Sequence, residues 1–153
     1  MIVGPDINAW KALPCPEGVL VDLYDEIART IPECGTFVQI GVGYGAGLAY
    51  VIARFGPGVR SVAVDTWERH ERTGLTEEQW DRVTSHGDAF EACLHELGDR
   101  AQYVYGRVTF IRDTSEEAAT LMGKASVDVL LVERASDAEP WTEKMKPGGR
   151  IYT

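Results

Sequence analysis

The sequence has little of what builds disulfide scaffolds, metal sites or membrane spans. Its 153 residues include only three cysteines and three histidines. Cys15, Cys34 and Cys93 form no CxxC pair and have no histidine at metal-ligand spacing, so neither a disulfide framework nor a zinc site is expected. No apolar run approaches the roughly 18 residues that span a bilayer, and the first residues lack the basic start and apolar stretch of a signal peptide. We therefore expect a cytoplasmic protein without a membrane partner.

Positive charge is also scarce. The chain has 15 Lys and Arg against 24 Asp and Glu, a formal net charge of −9. A nucleic-acid backbone is bound by clustered basic side chains, and a membrane surface by a basic amphipathic helix. The arginines here are scattered and no such helix is present in the sequence, so we expect neither kind of partner.

What the sequence does contain is an alternation of helical and strand patterns within one predicted domain. The strands are predicted at residues 36–40, 61–64, 108–111, 127–132 and 150–153, with residues 103–105 as a competitor for the third. Helices are predicted at residues 17–31, 47–55, 76–83, 88–97, 114–122 and 141–145. Capping boxes support two of these helices, one at Thr76 and Gln79 and one at Thr114 and Glu117.

The predicted strands are too apolar for a sheet that faces solvent. The run VDVLLV at residues 127–132 is typical of a strand covered on both faces. Strands that alternate with helices form parallel sheets with right-handed crossovers. We therefore predict an α/β fold, a doubly wound Rossmann-like sheet of about five strands in the order 3-2-1-4-5.

The most informative segment is QIGVGYGAG at residues 39–47, between a predicted strand and a predicted helix. Glycines there allow a tight turn and let a ligand approach the main chain. Asp65 follows Gly45 by twenty residues and ends the next strand. In an open α/β sheet this carboxylate faces the same crevice, where it can accept both hydroxyls of a ribose.

Two classes of ligand use this geometry, and the turn leaves both open. Gly41, Gly43 and Ala46 satisfy the G-x-G-x-x-G/A pattern of dinucleotide-binding proteins. Gly41, Gly43 and Gly45 equally satisfy the G-x-G-x-G turn of S-adenosyl-L-methionine enzymes.

From the turn to its last residue, the chain resembles the class I S-adenosyl-L-methionine-dependent methyltransferases, in particular their small-molecule O-methyltransferase-like branch. The resemblance is carried by QIGVGYGAG (39–47), AVDTWE (63–68), FIRDTSEEAA (110–119), SVDVLLVE (126–133) and KPGG (146–149). It implies methyl transfer to a small-molecule acceptor, with oxygen as the expected methylated atom.

The resemblance also implies a role for individual residues. Gly41, Gly43 and Gly45 would line the methionine moiety and ribose, and Asp65 would hold the ribose hydroxyls. Thr66 and Trp67 would flank the adenosine, although core packing is an equal alternative for Trp67. Asp113 and Thr114 would lie against the adenine edge, and Glu133 would close the pocket.

The sequence departs from the family at three places. Gln39 stands where the family has an acid that faces the methionine ammonium, so weaker cofactor binding is expected. Glu133, Ala135 and Ser136 stand where relatives have a catalytic base or metal ligands, and one acid alone does not hold a divalent cation. The family also continues through two further strands beyond residue 153. We therefore expect no metal site and keep as alternatives a binding protein without turnover and, less favoured, an NAD-binding module.

Candidate catalytic groups and partners follow from the same reading. His70 and His86 flank a long polar segment, and either could act as a general base if that segment folds over the crevice. Glu133 is a further weak candidate. The last strand has an uncovered edge, and the short crossover before it is expected to expose residues 127–132. We therefore expect a homo-oligomer, with a two-fold dimer favoured.

Overall fold

The computed structural model describes residues 18–68, 72, 74–100 and 108–153. The helices are α1 (Gly18–Thr30), α2 (Ala46–Ile52), α3 (Glu77–Thr84), α4 (Ala89–Arg100), α5 (Ser115–Thr120) and α6 (Ala135–Ala138), the last followed by a 3₁₀ helix (Glu139–Lys144). The strands are β1 (Thr36–Ile40), β2 (Arg60–Asp65), β3 (Val108–Arg112), β4 (Val127–Val132) and β5 (Met145–Tyr152). Residues 103–105, the competing third strand, lie outside the described residues.

The strands form one parallel sheet in the order β3-β2-β1-β4-β5. This confirms the predicted fold class and strand order. The carboxyl ends of β1, β2, β3 and β4 meet at one edge of the sheet, which we call the turn edge. It carries the glycine turn, Asp65, Asp113 and Glu133. Ligands of open α/β sheets bind outside this edge, where the strand order reverses.

Each face of the sheet packs against its own helices. One face is covered by α1, α2 and α4, whose buried residues include Ile27, Leu48 and Leu97. The other is covered by α5 and by Trp141 of the 3₁₀ helix. Alternate strand residues feed the two layers, because successive side chains of a strand point to opposite faces. Among these side chains Trp141 is fully buried, and burying a large apolar side chain contributes roughly 1.5–3 kcal/mol.

The expectation that the short crossover leaves β4 exposed is wrong, because all six of its residues are buried. Trp141 covers this part of the sheet, and its indole Nε1 donates to Ser115 Oγ at 2.8 Å. Ser115 Oγ in turn donates to the Asp137 carbonyl oxygen at 2.7 Å. Trp141, which is hydrogen-bonded to Ser115 of α5, thus covers the part of β4 that a longer crossover helix was expected to cover.

The last strand also begins earlier than predicted. β5 starts at Met145 rather than at residue 150, because the Pro-Gly-Gly segment forms an irregularity within the strand instead of a turn before it. Val127 pairs with Met145 and Val129 with Arg150, so the intervening residues of β5 bulge out of register. Gly148 takes a φ of +79° in this bulge.

The two predicted helix caps differ in outcome. At α3 the full capping box is present: Thr76 Oγ1 accepts from Gln79 N at 3.2 Å, and Gln79 Oε1 accepts from Thr76 N at 2.9 Å. At α5, Thr114 Oγ1 accepts from Glu117 N at 3.2 Å, but the Thr114 N–H donates to Asp113 Oδ1 at 2.7 Å instead of to Glu117. Within the described part of the chain, no helix is long and apolar enough to cross a membrane.

Candidate functional site

The glycine turn between β1 and α2 has positive φ angles at three residues: +87° at Gly41, +58° at Gly43 and +85° at Gly45. A side chain is strained in this backbone region. At Gly41 a Cβ atom would also lie 3.1 Å from Cδ of Glu133, whereas no described atom lies within 4 Å of a Cβ at Gly43. The turn is therefore tightly packed at its first glycine and open at its second, where a ligand can reach the main chain.

Four backbone N–H groups of this turn donate to acceptors within the protein. Those of Val42 and Gly43 donate to Asp65 Oδ2, each at 2.9 Å. The other two donate to carbonyl oxygens, Gly41 N to Val64 O at 2.9 Å and Gly45 N to Val42 O at 3.1 Å. A phosphate-binding turn needs free N–H groups, and here a carboxylate occupies two of them.

Asp65 lies half-buried at the end of β2 and holds the turn in place. Besides the two N–H groups of the turn, it accepts a third hydrogen bond, from Trp67 N to Oδ1 at 3.0 Å. A carboxylate offers about four acceptor sites. Counted over the described residues, these three bonds leave one acceptor site, which can bind a ribose hydroxyl without displacing a protein donor.

Of the two roles open to Trp67, the structure shows core packing. The side chain is 2% exposed and packs 4.8 Å from the Phe90 ring, centroid to centroid. Its indole Nε1 donates to Gly43 O at 2.8 Å, and its φ of 47° is in the left-handed region. Strain of this kind persists where surrounding contacts enforce it. Trp67 therefore holds the glycine turn, and its ring is not an open stacking surface for adenine. Thr66 beside it is half-buried.

Behind the turn lies a buried polar pair that joins β1 to α1. Gln39 is 5% exposed, and its Nε2 donates to Gly41 O at 3.4 Å. Its Oε1 is buried without a hydrogen-bond partner among the described residues. Tyr24 of α1 is 8% exposed, and its hydroxyl lies so close to Gly47 that a Cβ there would overlap it. Tyr24 falls within the helix predicted at residues 17–31, and its hydroxyl among leucines and isoleucines was the available signal in the sequence.

The electrostatics of Tyr24 connect this pair to Glu133. Burial raises the pKa of the Tyr24 hydroxyl above its ordinary value, a side-chain hydrogen bond from Gln39 lowers it, and the negative charge of Glu133 raises it further. Glu133 itself is exposed at the end of β4 and packs against Gly41. The neutral Tyr24, the amide of Gln39 and the carboxylate of Glu133 thus form one oxygen-rich region beside the turn.

The end of β3 brings Asp113 and Thr114 to the turn edge, where both are exposed. The Thr114 side chain caps α5, and the Asp113 side chain accepts from the Thr114 N–H. Next to them, Arg112 donates to Asp88 Oδ2 at 3.1 Å. The backbone N–H of Glu91, which donates to Asp88, and the Arg112 guanidinium lower the pKa of Asp88 despite an opposing effect of burial. This ion pair joins β3 to the start of α4.

Of the candidate bases that the structure describes, Glu133 lies at the turn and His86 does not. His86 stacks on His95 of α4, with ring centroids 4.2 Å apart. Cys93 and Leu97 of α4 contact the turn at Gly45, and at 3.6 residues per turn His95 lies on the opposite face of the helix. His86 therefore lies on the far side of α4. His70 is outside the described residues.

No group of three or more His, Cys, Asp or Glu side chains able to hold a metal ion occurs within residues 18–68, 72, 74–100 and 108–153. At the end of β4, Glu133 is followed by Arg134, Ala135 and Ser136, which offer no further carboxylate or imidazole.

Comparison with known proteins finds relatives by structure and not by sequence. No protein-family model matches the chain, and no curated protein matches it significantly. Many solved structures are similar to this chain, and three of them serve as examples. A Corynebacterium glutamicum protein has a TM-score of 0.63 at 15% identity, over 94% of this chain and 61% of its own. A candidate S-adenosyl-L-methionine-dependent methyltransferase from Methanococcus maripaludis has a TM-score of 0.58 at 13% identity, over 87% of this chain and 53% of its own.

The third is geranyl diphosphate C-methyltransferase from Streptomyces coelicolor, in complex with Mg²⁺, geranyl diphosphate and S-adenosyl-L-homocysteine. It has a TM-score of 0.58 at 15% identity, over 88% of this chain and 43% of its own. The chain thus spans between 43% and 61% of these three structures. At such identities the likeness establishes architecture, and the chain has the Rossmann-like fold that occurs in class I methyltransferases.

Proposed function

We propose that this protein binds S-adenosyl-L-methionine at the turn edge and transfers its methyl group to a small-molecule acceptor. The observation that carries the proposal is the state of the turn's backbone. Two of its N–H groups bind the Asp65 carboxylate and two bind carbonyl oxygens. A dinucleotide would bring a pyrophosphate to this place, where it would meet the Asp65 carboxylate bound to the N–H groups of Val42 and Gly43. This favours the methionine cofactor over NAD.

The residues present fit that cofactor. Asp65 retains one acceptor site for a ribose hydroxyl, and Gly43 leaves open space beside the main chain. The unpartnered Gln39 Oε1 is an acceptor where the amino-acid end would lie. An unsatisfied buried acceptor costs about 1–3 kcal/mol, so a ligand N–H group there would relieve that cost. Two of the similar structures support the proposal. The Streptomyces coelicolor methyltransferase binds S-adenosyl-L-homocysteine, and the Methanococcus maripaludis protein is described as a candidate S-adenosyl-L-methionine-dependent methyltransferase.

In the proposed reaction the protein mainly positions the cofactor and the acceptor for methyl transfer. When bound, S-adenosyl-L-methionine supplies a methyl carbon already activated by its sulfonium. Holding two reactants in line can lower a barrier by roughly 7–11 kcal/mol. The described residues orient the cofactor through Asp65 and the turn, and they place no histidine at the turn. Oxygen remains our proposed methylated atom.

We extend the proposal to metal and assembly. Methyl transfer is expected to proceed without a divalent cation, so chelation with EDTA should leave the rate unchanged; restoration of a lost rate by Mg²⁺ would contradict this.

The edge of β5 is proposed as a dimer contact, where Ile151 is 45% exposed. Light scattering after size exclusion, at a protein concentration of tens of micromolar, should give a particle of twice the chain mass. A particle with the mass of one chain would refute the dimer.

A thermal-shift panel tests the cofactor. S-adenosyl-L-methionine and S-adenosylhomocysteine at a hundred times their Kd should each add about 2.7 kcal/mol to the free energy of unfolding. NAD and NADP at the same concentration should leave the melting temperature unchanged. Stabilisation by NAD alone would replace the proposal with a dinucleotide site. Cofactor binding without methyl transfer to any phenol, carboxylate or alcohol would instead support a binding protein without turnover.

A further inference from the structure

Trp67 has a backbone conformation that is unusual for a bulky residue. Its φ of 47° lies in the left-handed region, and among the described residues other than glycine only Ala125 also has a positive φ. Outliers of this kind cluster at ligand sites and switch regions. Trp67 follows Asp65, the candidate ligand of the ribose, by two residues. The outlier therefore lies directly beside the candidate site.

All three polar groups of Trp67 are hydrogen-bonded at the turn edge. Its N–H donates to Asp65 Oδ1 at 3.0 Å, and its indole Nε1 donates to Gly43 O at 2.8 Å. Its carbonyl oxygen accepts from the Arg112 guanidinium at 3.5 Å. The side chain is buried and packs against Phe90. Three hydrogen bonds and a buried ring thus hold the left-handed conformation in place.

These contacts determine which oxygen of Asp65 is left for a ligand. Oδ2 accepts from Val42 N and Gly43 N, whereas Oδ1 accepts from Trp67 N. Each carboxylate oxygen offers about two acceptor sites. Counted over the described residues, both sites of Oδ2 are occupied and one site of Oδ1 remains. The remaining acceptor site is therefore on the oxygen that the Trp67 N–H orients.

Arg112 of β3 connects Trp67 to the start of α4. Its Nη2 atom, which donates to the Trp67 carbonyl oxygen, also donates to Asp88 Oδ2 at 3.1 Å. The guanidinium lies 5.2 Å from the centre of the Phe90 ring. Asp88 Oδ1 accepts from the Glu91 N–H at 2.8 Å and so caps α4. Arg112 thereby joins Trp67 to a helix outside the glycine turn.

We infer that Trp67 is a positioning residue of the cofactor site, supported by Arg112. It fixes the Asp65 carboxylate and the Gly43 main chain, so that the remaining Oδ1 site accepts from a ribose hydroxyl. The inference rests on the proposed function, because the ribose is that of S-adenosyl-L-methionine. Trp67 acts through Asp65, since its own polar groups are bound within the chain. An acceptor that is held in place before binding loses less entropy when the ligand arrives.

Recognition of the ribose hydroxyls measures this positioning separately from stability. Titration calorimetry compares the affinity of S-adenosylhomocysteine with those of its 2′-deoxy and 3′-deoxy analogues. In wild type, the analogue that lacks the bound hydroxyl should bind roughly ten- to a hundredfold more weakly, because it loses a hydrogen bond to a charged group. A substitution that only loosens the fold lowers all three affinities by the same factor and leaves their ratio unchanged.

Trp67→Phe is the central variant, because it removes the indole donor and keeps an aromatic ring. The affinity ratio should fall to about threefold or less. Trp141→Phe is the matched control. Trp141 is also buried, and its Nε1 also donates over 2.8 Å, to Ser115 Oγ on the other face of the sheet. The control should lose stability and keep the wild-type ratio.

Arg112→Gln provides a second test, which decides the matter alone if Trp67→Phe does not fold. It removes the donor to the Trp67 carbonyl oxygen, so the ratio should fall about threefold, and Arg112→Lys should restore it. Arg54→Gln is the matched control, because Arg54 forms an ion pair with Asp25 and donates to the carbonyl oxygen of Tyr50, over whose ring it lies. This control should leave the ratio unchanged.

The outcomes separate this inference from the proposed function. If wild type discriminates against a deoxy analogue and the Trp67 and Arg112 variants keep the full ratio, the positioning role is wrong and the cofactor proposal stands. An equal fall of the ratio in Trp141→Phe also overturns the role. So does a wild-type ratio near one, because no ribose hydroxyl would then bind Asp65. If wild type does not bind S-adenosylhomocysteine, both proposals fall. Melting temperatures establish that each variant is folded.

Discussion

Asp65 at the turn edge and Asp128 at the opposite edge of the sheet both accept backbone hydrogen bonds, and their surroundings differ. At the opposite edge, where the strands begin, Asp128 Oδ2 accepts from Thr36 N at 2.8 Å and from Lys146 Nζ at 3.0 Å. Asp128 is 9% exposed. At the turn edge, Asp65 is half-buried, and its partners among the described residues are backbone N–H groups.

The difference teaches which edge is closed and which can accept a ligand. Asp128 joins three strands and forms an ion pair with a lysine, so its charge is balanced within the chain. Among the described residues Asp65 forms no ion pair and has one acceptor site left, and near it Gln39 Oε1 is buried without a partner. The first edge contributes stability, and the second leaves polar groups for a ligand to satisfy.

Asp128→Ala should give the largest effect. The change leaves the Thr36 N–H and the Lys146 ammonium without their shared partner, so we expect a loss of about 2–4 kcal/mol in the free energy of unfolding. Urea unfolding measures it, with Glu143→Ala as a control at an exposed acid. Affinity for S-adenosylhomocysteine should stay unchanged in the folded protein. A variant as stable as wild type would show that the opposite edge does not hold the sheet together.

Gly47→Ala tests how tightly α2 packs at the turn edge. The new methyl group would overlap the Tyr24 hydroxyl, and overpacking of this kind costs roughly 1–3 kcal/mol. Gly56→Ala is the matched control, since no described atom lies within 4 Å of its added Cβ. We expect the control to stay within about 0.5 kcal/mol of wild type. Equal melting temperatures of the two variants would contradict the close contact.

Asp88 gives the smallest effect, and it depends on pH. Its folded-state pKa is lowered, so the stability that it contributes is present above its unfolded pKa, about 3.9, and is lost as pH falls through the folded value. The difference in unfolding free energy between wild type and Asp88→Asn should therefore be constant at neutral pH and shrink below about pH 4. A difference that grows on acidification would contradict the Arg112 and Glu91 contacts.

Much of the fold could be predicted because its signals are local. Strand β1, for example, has the predicted bounds of 36–40. The apolar strands, the alternation with helices and the capping box at Thr76 each occupy a few consecutive residues. The position of Asp65 beside the glycine turn was equally accessible, since parallel strands end at one edge.

The contacts that sequence reasoning missed join distant residues. Trp67 follows Asp65 by two residues, and nothing local indicated that its indole would donate to the Gly43 carbonyl oxygen. Trp141 covers β4 through Ser115, 26 residues away, which no crossover length reveals. The sequence shows Asp128 as a charged residue inside the apolar run VDVLLV. Its ion-pair partner Lys146 is brought to it by the pairing of β4 with β5, which the sequence alone does not show.

Calorimetric titration of S-adenosylhomocysteine into wild type and Asp65→Ala tests the central claim most directly, that the turn edge is the cofactor site. The variant removes a hydrogen bond to a charged group worth about 1.5–3 kcal/mol and loosens the turn, so the affinity should fall roughly ten- to a hundredfold. Asp128→Ala, at the opposite edge, should bind as wild type does. Equal affinity of wild type and Asp65→Ala would remove Asp65 from the site and contradict the account.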